Sequence, residues 1–282
     1  MKRIQFFPHV ITAFGLSCGL FVIFKVNMIE PGAGTYQVLF VSTLLLLVAG
    51  FADLLDGVVA RAMHSESSFG LIFDSLADAV SLADAVSFGV APSVVTLKSL
   101  SLEQGTPLSF FAVFGAMLFS IGGVLRLVRY SVQAKEGGGK QGVLVDQSKH
   151  FTGLPIPAAA LALISVNLFF ASPQGERWIS PSLELRAIIF SSLMIILGYF
   201  MVSRWKFPSA KALHFRLAST ELVLSAVVIA IVILYGSLYF FSLILGSVMW
   251  SYIILGWILS IIRLIAGKKS KTLEDFEPDQ ED

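Results

Sequence analysis

Four aspartates stand at the edges of long apolar runs, where lipid-facing sequence has no use for charge. The first pair closes one run: Ala52-Asp53-Leu54-Leu55-Asp56-Gly57-Val58-Val59-Ala60-Arg61. The second pair opens the next: Gly70-Leu71-Ile72-Phe73-Asp74-Ser75-Leu76-Ala77-Asp78. On a helix, spacings of three and four residues put each pair on one face, about one turn apart. Carboxylates at membrane depth are costly, so they are functional candidates by default. Four on facing helices repel one another unless cations lie between them. Hard cations take oxygen ligands, and Mg²⁺ binds through a few carboxylates together with substrate phosphates. Two such ions about 4 Å apart can clamp a diphosphate during in-line displacement. Gly57 lets a phosphate approach the backbone. Ala60 leaves room beside it, and Arg61 can pair with a carboxylate or a phosphate. Solvated residues at span ends would account for one or two of these acids, but not for four at paired helical spacing with Gly, Ala and Arg between them.

The elements that must hold these residues follow from composition. The apolar share is 56%, the charged share 14% and the mean hydropathy +0.81. A soluble domain carries about 25% charge, so the chain reads as a membrane protein. Runs near 10–28, 36–57, 71–97, 108–127, 157–171, 185–201, 222–235 and 240–262 approach the roughly 20 residues a span requires. The expectation is an all-α polytopic bundle of about eight transmembrane helices. Of the 20 basic residues, only Lys25, Lys98, Arg177 and Arg186 fall on one side. The others fall on the opposite side, which the positive-inside rule places in the cytoplasm together with both termini. Lys2 and Arg3 before an apolar stretch resemble a secretory signal, but no small-residue cleavage pattern follows, so the first helix is expected to be retained. The last two spans, parted by Gly236 and Ser237, read as a hairpin. The expected organisation is a six-helix membrane domain over 1–216, a transmembrane hairpin over 217–266 and an acidic, disordered cytoplasmic tail over 267–282.

Several chemistries are disfavoured. A net charge of +1 gives no general attraction to nucleic acid. The single cysteine, Cys18, can form no intrachain disulfide and reads as a small buried hydrophobe. Gly137-Gly138-Gly139-Lys140-Gln141 lacks the Ser or Thr and the strand context of a phosphate-binding P-loop. The four histidines do not cluster as zinc ligands, and no serine-nucleophile arrangement is visible.

The full pattern, Asp53-x2-Asp56-Gly57-x2-Ala60-Arg61-x8-Gly70-x3-Asp74-x3-Asp78, resembles the motif of the CDP-alcohol phosphotransferase family at every fixed position. The resemblance implies that Asp53, Asp56 and Asp74 bind two divalent metals, Mg²⁺ or Mn²⁺. It implies that Asp78 completes that site and acts as general base, and that Gly57, Ala60, Arg61 and Gly70 shape the CDP pocket. Phe151-Thr152-Gly153-Leu154-Pro155-Ile156-Pro157-Ala158-Ala159 is similar to a segment of the family's serine-using bacterial members, as are Leu125-Arg126-Leu127-Val128-Arg129-Tyr130 and Met201 through Lys211. The implied partners are CDP-diacylglycerol, L-serine and membrane lipid, with a homodimer compatible and nucleic acid excluded. The implied reaction transfers a phosphatidyl group to serine and releases CMP, at the cytoplasmic side of the inner membrane. Arg126, Arg129 or Lys211 would hold the acceptor's carboxylate, although positive-inside charges need no such role. The same chemistry on glycerol 3-phosphate, inositol phosphate or choline is the near alternative. A cation-binding transporter is the distant one, and it leaves Gly57, Ala60, Arg61 and Gly70 unexplained.

The chain departs from the family in two places. Gly15 stands where those members commonly carry Asn. Ser75-Leu76-Ala77-Asp78-Ala79-Val80 is repeated at once as Ser81-Leu82-Ala83-Asp84-Ala85-Val86, which delays Ser87-Phe88-Gly89-Val90-Ala91-Pro92 by six residues. Six residues add about 9 Å and roughly 600° of turn to a helix. Either Asp78 serves and Asp84 is pushed into an apolar layer, or the first copy bulges outward and Asp84 takes the base position. The intact Gly70, Asp74 and Asp78 spacing favours the first.

Overall fold

The computed structural model describes residues 7–30, 36–62, 79–136, 150–179, 181–208, 236 and 239–266. Its helices are α1 (Phe7–Asn27), α2 (Tyr36–Ala62), α3 (Ala79–Ser99), α4 (Pro107–Glu136), α5 (Ile156–Ala171), the short α6 (Pro173–Trp178), α7 (Leu183–Val202) and α8 (Phe241–Ala266). Six of them are long and apolar enough to cross a membrane, and the chain is a helical multi-pass membrane protein. Seven of the eight expected spans are present as helices. The run at 222–235 and the start of the third span, 71–78, lie outside the described residues.

At 16 residues, α5 spans only about 24 Å. Apolar around its whole circumference, it is buried by its neighbours instead of facing lipid. It packs against α2, α3, α7 and α8, and Ala159, Ala160, Ala162, Leu163 and Ile164 are fully covered. Hydroxyls in the spans satisfy themselves on the carbonyl one turn back, as Thr43 does on Leu39 at 2.7 Å and Ser191 on Ala187 at 2.7 Å. Where helices start near the surface, Ser172 and Ser182 accept from the backbone N–H of Gly175 and Leu185.

A close crossing joins α4 to α7. A Cβ on Gly122 would stand 2.8 Å from the Gly198 carbonyl oxygen, and one on Gly115 would stand 2.8 Å from that of Ser191. Small residues let the two backbones touch, as membrane helices require when no hydrophobic force drives them together. These contacts also fix direction, because residue numbers rise together along both helices.

The sequence reading foresaw no strand. Among the described residues there is one small ladder, β1 (His150–Thr152) antiparallel to β2 (Lys206–Pro208), with Phe151 opposite Phe207. Gly153, at φ +80°, turns the chain out of β1, and its N–H donates to the Trp205 carbonyl at 2.8 Å. Leu154 N–H donates to Phe200 O at 3.0 Å, and the Leu154 side chain is fully buried. The two segments that resembled the serine-using proteins, about fifty residues apart in sequence, are therefore one structural unit.

The helices sort the polar residues to the two ends of the bundle. α2 runs antiparallel to α1, since Gly15 meets Ala49 and Ala52 while, further along α1, Val26 shares a cavity with Leu39. α3 runs antiparallel to α4, since Gly89 meets Ser120 and Gly123. α8 begins beside Phe40 of α2, with ring centroids 5.1 Å apart, and passes Phe207 at Tyr252. Asp53, Asp84, Arg126, Arg129 and Arg204 thus share one end, where α1 begins and α8 finishes. Lys25, Lys98, Arg177 and Arg186 share the other. There Arg186 donates to Asn167, which donates in turn to Ser99.

Candidate active site

α2 continues unbroken to Ala62, so Asp53, Asp56, Gly57, Ala60 and Arg61 follow one another at helical spacing along successive turns. Asp53 is half-buried. The side chains of Asp56, Ala60 and Arg61 are not among the described ones, and Gly70, Asp74, Asp78 and Lys211 lie outside the described residues altogether.

A small cavity opens between α1, α2 and α3. Thr12 and Gly15 line it from α1, Asp53 from α2, and Val80, Asp84 and Ser87 from α3. Asp84 is half-buried. The sequence reading favoured an Asp84 displaced into an apolar layer; here it shares a cavity with Asp53. Counting forward from Asp74 favours Asp78, whereas counting back from Ser87-Phe88-Gly89 favours Asp84.

The wall of this cavity carries oxygen donors only. Two carboxylates and the hydroxyls of Thr12 and Ser87 are present, with no imidazole or thiolate among the lining residues. This donor chemistry fits a hard divalent cation such as Mg²⁺ or Mn²⁺ and not a soft one. Among the described residues no three acidic, His or Cys side chains cluster closely enough to hold a metal. A complete ligand set therefore needs carboxylates from the remaining motif positions.

The expected acceptor-binding arginines lie on the last turns of α4. Arg126 interacts electrostatically with Tyr252 of α8 and with Asp84. Arg129 sits one turn on, and its NH1 makes a long 3.5 Å contact to the Ser203 carbonyl oxygen, beside the β ladder. Tyr252 went unnoticed in the sequence because the last span carries no motif. The only signal was a phenol in an apolar run, at the level of the ladder, where its ring stands 6.2 Å from that of Phe207.

Comparison with known proteins identifies the family. The family model for CDP-alcohol phosphatidyltransferase matches residues 5–202. A CDP-diacylglycerol–serine O-phosphatidyltransferase of Helicobacter pylori (strain J99) is 29% identical over 95% of this chain and 98% of its own length. The protein of the same name from Bacillus subtilis (strain 168) is 28% identical over 77% of this chain and 95% of its own. That from Methanocaldococcus jannaschii is 31% identical over 65% and 71%. With α1 through α7 and the carboxylate motif inside the matched region, the chain belongs to the CDP-alcohol phosphatidyltransferase family.

Proposed function

We propose that this protein transfers the phosphatidyl group of CDP-diacylglycerol to L-serine, producing phosphatidylserine and CMP. The observation that carries the choice of acceptor is the joining of two segments, 150–154 and 200–208, into one ladder beside Arg129. Both segments are of the serine-using type, and they lie at the same end of the bundle as Asp53 and Arg126. The relatives matched over 98% and 95% of their own length carry the corresponding name.

CDP-diacylglycerol lies with its tails in lipid and its diphosphate against the carboxylate motif. Asp53 and Asp56 of α2, with the acid that α3 sets against them, would hold two divalent ions, Mg²⁺ or Mn²⁺, which supply charge neutralisation to the diphosphate. Gly57, Ala60, Arg61 and Gly70 leave room for the CDP moiety, and Arg61 pairs with a phosphate oxygen. Arg126, Arg129 and Lys211 attract the serine carboxylate and so orient its hydroxyl. The aspartate of the repeated hexapeptide accepts the hydroxyl proton. The serine oxygen then bonds to the lipid-side phosphorus, the bond from that phosphorus to the bridging oxygen breaks, and CMP leaves with the electron pair. This end of the bundle faces the cytoplasm of the inner membrane, because it gathers most of the basic residues.

Purified protein supplied with CDP-diacylglycerol and a panel of alcohols tests the reading. Serine-dependent CMP release with a phosphatidylserine product supports it. A phosphatidylglycerol phosphate product from glycerol 3-phosphate, with none from serine, rejects it.

A further inference from the structure

Residues 75–80 and 81–86 are the same hexapeptide, so the chain offers the same carboxylate twice, at Asp78 and at Asp84. We propose that Asp84, from the second copy, is the carboxylate that α3 contributes opposite Asp53 in the diphosphate site, and that Val80 occupies the adjoining position on that face. The inference rests on the reaction proposed above and specifies which residues build its site.

The cavity supplies the first argument. Val80, Ala83, Asp84 and Ser87 all line it together with Asp53. Their spacing of three, four and seven residues is one face of a helix. The carboxylate on that face is Asp84.

The packing of α3 supplies the second. The Ser87 hydroxyl is buried and donates to the Gly15 carbonyl oxygen at 3.2 Å. A Cβ on Gly19 would stand 2.7 Å from the Ser87 Cα. On the opposite side, Ser120 Oγ lies 3.0 Å from both the Gly89 carbonyl oxygen and Ser93 Oγ. Phe88 is 1% exposed. The register of α3 is therefore held from α1 and from α4 at once. Bringing Asp78 to the place of Asp84 would slide α3 by about 9 Å and turn it by roughly 600°, breaking every one of these contacts. A π-helical turn spans Ala85–Val90. Such turns absorb an extra residue and often lie at functional sites.

The third argument is electrostatic. Arg126 of α4 interacts with Asp84. The carboxylate on this face thus lies within the electrostatic reach of the cation proposed to receive the acceptor.

One consequence distinguishes this chain. Val80 stands four residues before Asp84, just as Asp74 stands four before Asp78. The face that meets Asp53 therefore offers one acid where the unrepeated pattern offers two. Removing 81–86 leaves Asp74 four residues before the single remaining aspartate, which still runs directly into Ser87-Phe88-Gly89. Removing 75–80 yields the identical chain.

The test uses the full-length protein in lipid nanodiscs, with Mn²⁺ binding followed by the electron paramagnetic resonance of the free ion and CMP release measured in parallel. Asp84→Asn is expected to weaken Mn²⁺ binding about tenfold more than Asp78→Asn does, the size of effect seen when groups around a metal site are removed. Val80→Asp and removal of 81–86 are each expected to tighten it. A cross-link that needs no activity guards against misfolding. In a Cys18→Ala background, Asp53→Cys with Asp84→Cys should be captured by a short bismaleimide in preference to Asp53→Cys with Asp78→Cys. Mn²⁺ binding lost with Asp78→Asn and kept with Asp84→Asn, or preferential capture of the 53/78 pair, overturns the proposal. If serine-dependent CMP release persists beside either result, the proposed function survives. If the Mn²⁺ pattern is as expected but no alcohol releases CMP, the proposed function fails and the Asp84 assignment stands.

Discussion

Ser87 donates its hydroxyl to the carbonyl oxygen of Gly15, 72 positions earlier in the chain, at 3.2 Å. That bond seats α3 on α1 at the cavity holding Asp53 and Asp84. Gly19, one turn along α1, has no room for a side chain: a Cβ would stand 2.7 Å from the Ser87 Cα and 2.8 Å from its Cβ. Gly19→Val should force the helices apart, lower stability by about 1–3 kcal/mol as overpacking typically does, and abolish turnover. Gly50 is the control. Its Cβ would meet Phe88 at an ordinary 3.7 Å, so Gly50→Ala should keep both stability and activity. Thermal unfolding in detergent, read beside CMP release, checks the pair.

Asp53→Asn and Asp56→Asn should each abolish CMP release while the protein still inserts and elutes as a single species. Asn keeps the shape of Asp but supplies a neutral oxygen, a poor ligand for a hard cation. Near-normal activity in any one variant, with unchanged stimulation by Mg²⁺ or Mn²⁺, would remove that residue from the metal site.

Arg126→Ala should raise the KM for serine more than it lowers kcat, because the guanidinium is proposed to hold a carboxylate that is charged alike in ground and transition states. The KM for CDP-diacylglycerol should change little. A fall in kcat at unchanged serine KM would show that Arg126 acts on the phosphoryl group instead. Arg129→Ala separates a binding role from a structural one, since Arg129 also contacts the Ser203 carbonyl.

Topology can be read by cysteine labelling in a Cys18→Ala background. Ser101 is exposed at the end of the bundle that carries Lys98, and Ser101→Cys should react with an impermeant maleimide in intact cells. Ser270→Cys should react only after permeabilisation. Ser99 is a poor site, because it is half-buried and accepts a hydrogen bond from Asn167 at 2.8 Å. The reverse accessibility would place the catalytic end outside the cytoplasm.

Gly153→Ala should weaken the ladder between residues 150–152 and 206–208. An Ala at φ +80° costs about 1–2 kcal/mol, and its Cβ would also press on the Ser203 carbonyl oxygen at 3.1 Å. Lower thermal stability together with a raised serine KM would tie the ladder to acceptor binding. A stability loss with no change in KM would leave it a purely structural element.

The sequence by itself determined the membrane class, most of the helices and the carboxylate motif. Each is written in short-range terms: hydropathy over about 20 residues, and acids at spacings of three and four. Asp53 and Asp56 could be placed on one face of a helix without coordinates because helical periodicity is a property of neighbours. The ladder between β1 and β2 was not legible. Three-residue strands carry no periodic signal, and their pairing depends on α7 delivering Trp205 and Phe207 beside Gly153 and Phe151. Tyr252 was invisible for the same reason, since only the path of α8 past Phe207 brings it near Arg126. The repeat shows the division most clearly. Two identical hexapeptides present identical local chemistry, so nothing within them ranks Asp78 against Asp84. The register of α3 was decided by contacts made elsewhere on the helix: Ser87 on Gly15, Gly89 on Ser120 and Phe88 in the core. Close packing of that kind admits one axial position and excludes one displaced by six residues, and it is the position in which Asp84 meets the cavity of Asp53.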